Sequence, residues 1–442
     1  MSEGNYPRVL VITINPFNWL TGTGITMSNL FAGWPRERLA QIYLQDEPPG
    51  TDVCLMSRHI ESSSAPFDHV VRQVIPRGSL GYAPETPGLA LAQSDHASWK
   101  AWGHLMARAL NDMSSVLLPA SLRRWITNYS PDVIYSPLGS IRMMQFVLKV
   151  TKYTAKPMMP HFMDDWPRTK YSDNILFGLP RVMLNRFLRR VLHHAHSGLC
   201  ISEEMADEYR RRYGLPFRDF MNCIDEQNFQ APSRHQDSKS ASPVVSYIGG
   251  LHLNRWQSLR KIARAVERAG GELRIYAPPR DVARFADEFR QCARTRLASL
   301  APTEVFDVLR QTDIAVHVES FEENTVEYTR LSVSTKIPQY LAVGKPILGF
   351  GPRQLASMHV IMRANAGVVI GEQDPRALET AVEKLFTDRP YRQFLGENGY
   401  AYARQRYLRS DVHEQFRQAL CEGAWHHPAT PSSLPGCWRP QS

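Results

Sequence analysis

No apolar run in the chain approaches the roughly 20 residues that a membrane-spanning helix needs. The first run, Val9–Ile14, is too short for a signal-peptide core and reads as a strand. Cysteine is sparse. Cys54, Cys200, Cys223, Cys292, Cys421 and Cys437 lie apart with no CxxC pair, which argues against a disulfide framework or a zinc site and fits reduced thiols in the cytoplasm. Helix-turn-helix, zinc-finger and RNP-type signatures are missing, so nucleic acid is the weakest partner class. No short-period repeat is present, which excludes a solenoid. The run His193-His194-Ala195-His196 has no carboxylate close by in sequence and reads as a solvated helix end, not a metal site. Gly22 and Gly24 open a helix as a dinucleotide fingerprint would, but Met27 stands where a third glycine is needed. The loop after Ile14 is also too long for that tight turn, so an NAD or FAD site is rejected.

What is there suits two domains. The 442 residues are 43% hydrophobic, enough for two cores of about 200 residues each. A net charge of +9 suits phosphorylated ligands or an anionic membrane surface. Strand-like runs alternate with helical ones along both halves, which predicts parallel sheets with helices on both faces. Residues 228–243 are polar and proline-bounded, and read as a linker. The expected organisation is a first Rossmann-like domain over 1–227, the linker 228–243, and a second such domain over 244–422. The last helices of the second domain are candidates to pack back on the first. The proline-rich residues 423–442 read as a disordered tail. The fold class expected is α/β, two doubly wound domains facing a cleft.

Ligands of such sheets sit beyond the carboxyl ends of strands, where helix N-termini attract phosphate. Two loops fit that role. In Ser334-Thr335-Lys336-Ile337-Pro338-Gln339-Tyr340, proline confines the helix start to Ser334–Ile337. The two hydroxyls and the lysine then make a phosphate cradle, or else a capped helix with a solvated lysine. In Tyr247-Ile248-Gly249-Gly250, followed by Arg255, two glycines allow close approach of backbone to ligand, and arginine offers forked donors to a diphosphate. The alternative is a tight turn with a surface arginine.

The order of these motifs resembles that of family-four-like retaining glycosyltransferases of the GT-B fold. "GLCISEEMADEYRRRYG" resembles the segment that closes that family's N-terminal domain. "MNCIDEQNF" resembles its Asn-Gly-Val-Asp…Phe linker, with Cys223 in place of glycine. "YIGGLHLNRWQSL" resembles its phosphate loop, "STKIPQYLAVGKPIL" its donor motif, and "FMDDWP" its His-Asp-x-Trp-Pro loop. The resemblance implies a nucleotide-diphosphate sugar as donor, with no metal or other cofactor. It implies a glycan or lipid-linked acceptor and work in envelope or exopolysaccharide synthesis, at the inner face of a plasma membrane. Arg255 and Lys336 would neutralise the leaving diphosphate, with Ser334 and Thr335 bonding it and Gly22, Gly24, Gly249 and Gly250 lining it. Gln339 stands where the family has a ribose-binding glutamate. Asp164 matches the cleft-loop aspartate. Met163 replaces that loop's histidine, whose place His161 would take if it points up from the strand end. Glu319 and Glu327 have the spacing of the family's paired glutamates but the wrong context, and read as part of a loop over the donor site. Arginines at 123–124, 186, 189–190 and 210–212, with Trp125, point to an anionic membrane surface. The departures at Cys223, Met163 and Gln339 keep a non-catalytic GT-B-like subunit as the competing reading.

Overall fold

The computed structural model describes residues 6–19, 21–45, 47–61, 64, 99–232 and 243–425. Most of the expected linker, 233–242, and the tail from 426 lie outside them. By internal contacts the chain divides into two units. One is Met1–Phe220 together with His413–Ser442, and the other is Met221–Val412. Residues 221–232, read from sequence as the end of the first domain and the start of the linker, group with the second unit.

In the first unit β1 (Val9–Thr13), β2 (Leu39–Tyr43), β3 (Met56–His59), β4 (Val133–Ser136), β5 (Met158–Phe162), β6 (Gly198–Cys200) and β7 (Phe217–Asp219) form one sheet, ordered β3-β2-β1-β4-β5-β6-β7. Every pairing is parallel. Strands covered on both faces need apolar side chains at every position, and β1, Val-Leu-Val-Ile-Thr, is buried throughout. The covering helices include α1 (Gly22–Phe31), α2 (Trp99–Met113), α3 (Ile141–Thr154), α4 (Leu179–Leu192) and α5 (Glu203–Tyr213). Ser202 caps α5 by accepting from the Met205 amide, and Gly214 ends it in the left-handed region, as the sequence predicts.

The second sheet is built alike. Strands β8 (Val244–Ile248), β9 (Glu272–Tyr276), β10 (Thr295–Ala298), β11 (Ile314–Val318), β12 (Ile347–Phe350) and β13 (Gly367–Ile370) are ordered β10-β9-β8-β11-β12-β13, again all parallel. Helices α6 (Arg255–Arg268), α7 (Glu323–Thr329) and α8 (Lys336–Ala342) follow β8 and β11. Both sheets therefore reverse direction beside their first strand, β1 against β4 and β8 against β11. In open sheets of this kind that reversal opens the crevice where ligands bind.

The last helix, Arg409–Trp425, overturns the expectation of a disordered tail from residue 423. A Cβ on its residue Gly423 would lie 2.5 Å from the terminal methyl of Met159, which would have to move aside. Glycine there lets the final turn lie against β5. Among the described residues no helix is long and apolar enough to cross a membrane.

Candidate active site

The reversal in the second sheet sets the site. Arg255 begins α6 after β8, and Glu319 follows the last residue of β11. Their side chains meet in a forked pair. Arg255 Nη2 donates to both carboxylate oxygens at 2.9 and 3.0 Å, and Nε donates to Oε2 at 3.1 Å. The Glu319 side chain is 4% exposed and that of Arg255 18%, so most of the attraction is unscreened. Ser258, one turn into α6, donates from its hydroxyl to the Glu319 carbonyl at 2.9 Å. His317 Nε2 lies 3.6 Å from the same carboxylate. Burial pushes His317 down to about 4, so at neutral pH it adds no competing cation. The sequence reading set Glu319 aside. The structure makes it the partner of Arg255, while Glu327 is exposed on α7, a helix where a loop was expected.

The backbone leading into α6 is unusual. Leu253 and Asn254 both take φ of 57°, a left-handed conformation that costs a side-chain-bearing residue roughly 1–2 kcal/mol. Asn254 Nδ2 bonds the Glu322 carboxylate, tying this turn to the loop after β11. Strain of this kind persists where the surroundings over-determine it, and it clusters at ligand sites. Gly249 and Gly250 have a packing reason to be glycine. A Cβ on Gly249 would lie 2.7 Å from the Tyr247 hydroxyl, and one on Gly250 would lie 2.4 Å from the His252 ring.

The second loop is tied to the first through Tyr340. Its buried hydroxyl accepts from the Ile248 amide and donates to the Ile248 carbonyl, both at 3.2 Å. That fixes α8 against the carboxyl end of β8. α8 starts at Lys336. Thr335 holds the N-cap position without a side-chain cap bond, and Ser334 Oγ accepts from the Lys336 amide at 3.3 Å. The Lys336 ammonium is half-buried and has no ion-pair or hydrogen-bond partner among the described residues. Burial alone pushes it down to about 8. One turn further on, Gln339 Oε1 is buried without a donor. An acceptor buried without a donor is costly, and α8 carries one within a turn of a half-buried cation that has no counter-ion.

The first-unit candidates lie on their own loops. Thr21 caps α1, its hydroxyl accepting from the Gly24 amide at 3.1 Å. Asn18 Oδ1 accepts in turn from the Thr21 amide at 2.9 Å. A Cβ on Gly24 would overlap the Asn18 amide at 2.4 Å, whereas Gly22 meets nothing within 4 Å. Gly24 is thus fixed by packing, while Gly22 leaves open space at the helix mouth. Asp164 is half-buried after β5. The adjacent Asp165 is fully buried and takes two bonds from Arg212, at 2.7 and 2.8 Å, and one from the Tyr209 hydroxyl at 2.9 Å. Those bonds hold the Asp164 loop in place. His161 does not point up from the strand end. It has no exposed surface, bonds the Tyr135 hydroxyl through Nδ1 at 2.6 Å, and is pushed down to about 3 by burial. A strand covered on both faces sends either face of β5 into the core. Among the described residues no group of three or more His, Cys, Asp or Glu side chains is placed to hold a metal.

No family profile matches the chain, and no curated protein sequence matches it. Its fold does have counterparts. HepE from Anabaena, crystallised with UDP, is 12% identical with a TM-score of 0.61, over 93% of this chain and 99% of that one. Sucrose-phosphate synthase from Thermosynechococcus elongatus is 13% identical with a TM-score of 0.62, over 93% and 98%. WaaG, a glycosyltransferase involved in lipopolysaccharide biosynthesis, is 13% identical with a TM-score of 0.54, over 95% and 100%. At such identities the likeness is one of fold. It is the two-domain, Rossmann-like GT-B fold.

Proposed function

We propose that the chain is a glycosyltransferase. It takes a nucleotide-diphosphate sugar in its second unit and passes the sugar, with retention, to a glycan or lipid-linked acceptor. The observation that carries this reading is the pair of unmet groups on α8. A half-buried ammonium without a counter-ion and an orphaned amide oxygen one turn away are matched by one ligand, a diphosphate joined to a ribose diol. Tyr340 holds that helix against the strand that leads to Arg255. The GT-B counterpart HepE was crystallised with UDP-glucose, which supports a uridine diphosphate sugar as the first donor to try.

In this reaction the bond between the sugar's anomeric carbon and the diphosphate oxygen breaks as the acceptor oxygen bonds that carbon from the same face. A donor phosphate oxygen takes the acceptor's proton. Lys336 and Arg255 meet the charge on the departing diphosphate, with Ser334 and Thr335 bonding its oxygens. Preorganised cations at a developing anion are an effective source of rate, so the proposal assigns this work to side chains and not to a resident metal. The reading places the acceptor in envelope or exopolysaccharide synthesis at the inner face of a plasma membrane, as WaaG's role in lipopolysaccharide synthesis supports.

A panel of nucleotides and nucleotide sugars, scored by thermal shift and then by release of nucleoside diphosphate, tests the proposal. One donor should raise the melting temperature, and native protein should turn it over with an acceptor while Lys336→Ala should not. Binding without turnover across acceptors would favour a non-catalytic GT-B-like subunit. No binding at all would end both readings.

A further inference from the structure

The first unit carries a prominent exposed apolar feature. Between β5 and α4 the chain makes a tip. Asn174, Leu176, Phe177 and Gly178 all have positive φ, of 53°, 50°, 56° and 75°. Three of these four bear side chains, for which the left-handed region is unfavourable. The result of this strained turn is that Phe177 stands fully in solvent, at 105% relative exposure, with Leu179 at 52% and Val182 at 63% beside it. Single exposed apolar residues need no explanation. Three together, held out by an unfavourable backbone, leave two costs unmet in the free chain.

The exposed face of α4 says what meets them. It starts apolar, with Leu179 and Val182, and continues with exposed Arg186, Arg189 and Arg190. Arg186 and Arg190 have no acidic partner among the described residues. From Lys170 to Arg190 the chain carries five cations and one carboxylate, Asp173. Apolar side chains at one end of a helix face and arginines further along it match a bilayer, with hydrocarbon below and anionic headgroups above. The triple arginine of α5 is occupied. Arg210, Arg211 and Arg212 pair with Asp207, Glu208 and Asp165. Trp125 is stacked on Tyr129 and covered by Arg58.

We propose that Phe177, Leu179 and Val182 insert into an anionic lipid bilayer while Arg186, Arg189 and Arg190 lie at its headgroups, docking the first unit on the membrane through this tip. Docking there would bring the protein to an acceptor carried on lipid. In that respect the inference rests on the function proposed above, yet binding to vesicles is read with neither donor nor acceptor present. A failed donor screen and a failed vesicle assay are therefore separate results.

The test is co-sedimentation of the full chain with vesicles of equal parts phosphatidylglycerol and phosphatidylcholine, and with phosphatidylcholine alone. Binding should need the anionic lipid and fade as salt rises. Phe177→Asn, which suits a left-handed backbone, should weaken it about tenfold. Arg186→Gln with Arg190→Gln should weaken it roughly thirtyfold. Arg123→Glu with Arg124→Glu should change it much less. All the altered side chains are exposed, and unchanged melting temperatures confirm that each variant folds. Binding that survives Phe177→Asn, or that is lost only on changing Arg123 and Arg124, overturns the proposal. So does a concentration-dependent dimer that Phe177→Asn abolishes without any vesicle binding, which would make a second copy of the chain the partner.

Discussion

Replacing Glu319 by glutamine isolates the central ion pair. The substitution keeps the side chain's size and leaves the Arg255 guanidinium facing a neutral amide. Breaking one side of a buried pair costs about 3–5 kcal/mol. Arg255 keeps 18% of its side-chain surface, so water can reach the stranded cation and the low end, about 3 kcal/mol, is expected. In a unit of this size each kcal/mol moves the melting temperature by about 2–4 °C, so the drop is roughly 6–12 °C. Arg255→Ala in the same background should add little, because the pair is already gone. The coupling between the two sites should come out at about 3 kcal/mol, at the upper end of the range for contacting residues. Urea unfolding of the native chain, both single variants and the double variant measures it. The bound donor nucleotide should stabilise Glu319→Gln more than it stabilises the native chain, because the released guanidinium is then available to a diphosphate. Strictly additive losses, or a native melting temperature for Glu319→Gln, would refute the argument that this pair holds the site together.

Lys336→Ala should cut turnover by about 3–4 kcal/mol in barrier without lowering stability, since the half-buried ammonium has no partner to lose; steady-state rates and a melting curve report both. Because burial holds Lys336 near 8, below its unfolded value, the fold should gain stability as pH rises from about 8 into the ordinary lysine range. Donor affinity should fall over the same interval as the cation is lost, and Lys336→Arg should remove that fall in a titration against pH. Gln339→Glu should keep or improve donor affinity and Gln339→Leu weaken it, read by calorimetry; three equal affinities would remove Gln339 from the site. Tyr340→Phe should strand the Ile248 amide at a cost of about 1–3 kcal/mol and raise KM more than it lowers kcat, whereas an unchanged KM would make the hydroxyl a packing feature only.

The alternation of strands and helices was legible because parallel strands buried on both faces show as unbroken apolar runs, as in Val-Leu-Val-Ile-Thr and Val-Val-Ser-Tyr-Ile. The edge strands Met56–His59 and Thr295–Ala298 were not, because half-exposed strands need no such run. Arg255 and Lys336 could be singled out because each begins a helix, Arg255 after the apolar run of β8 and Lys336 two residues before a proline that confines the helix start. Glu319 could not be matched to Arg255, since 64 residues separate them and only the sheet order brings β8 beside β11. His161 misled for the converse reason. Nothing in a strand apolar on both sides tells which residues reach its open end. Of the triple arginine at 210–212, Arg210 and Arg211 pair with acids three residues before them, while the partner of Arg212, Asp165, lies 47 residues upstream.

Phe416 belongs to the final helix, yet its ring packs edge-on against Phe31, Trp34 and Phe220. During synthesis, that aromatic plug leaves the ribosome only after all of Met221–Val412 has emerged. At about 5–20 residues per second the first sheet waits roughly ten seconds or more with this part of its core open. It is finished after the unit that follows it in sequence, not before. Chains released between the end of β13 at Ile370 and Phe416 would carry a complete second sheet and an unsealed first one, and would be the species most in need of a chaperone.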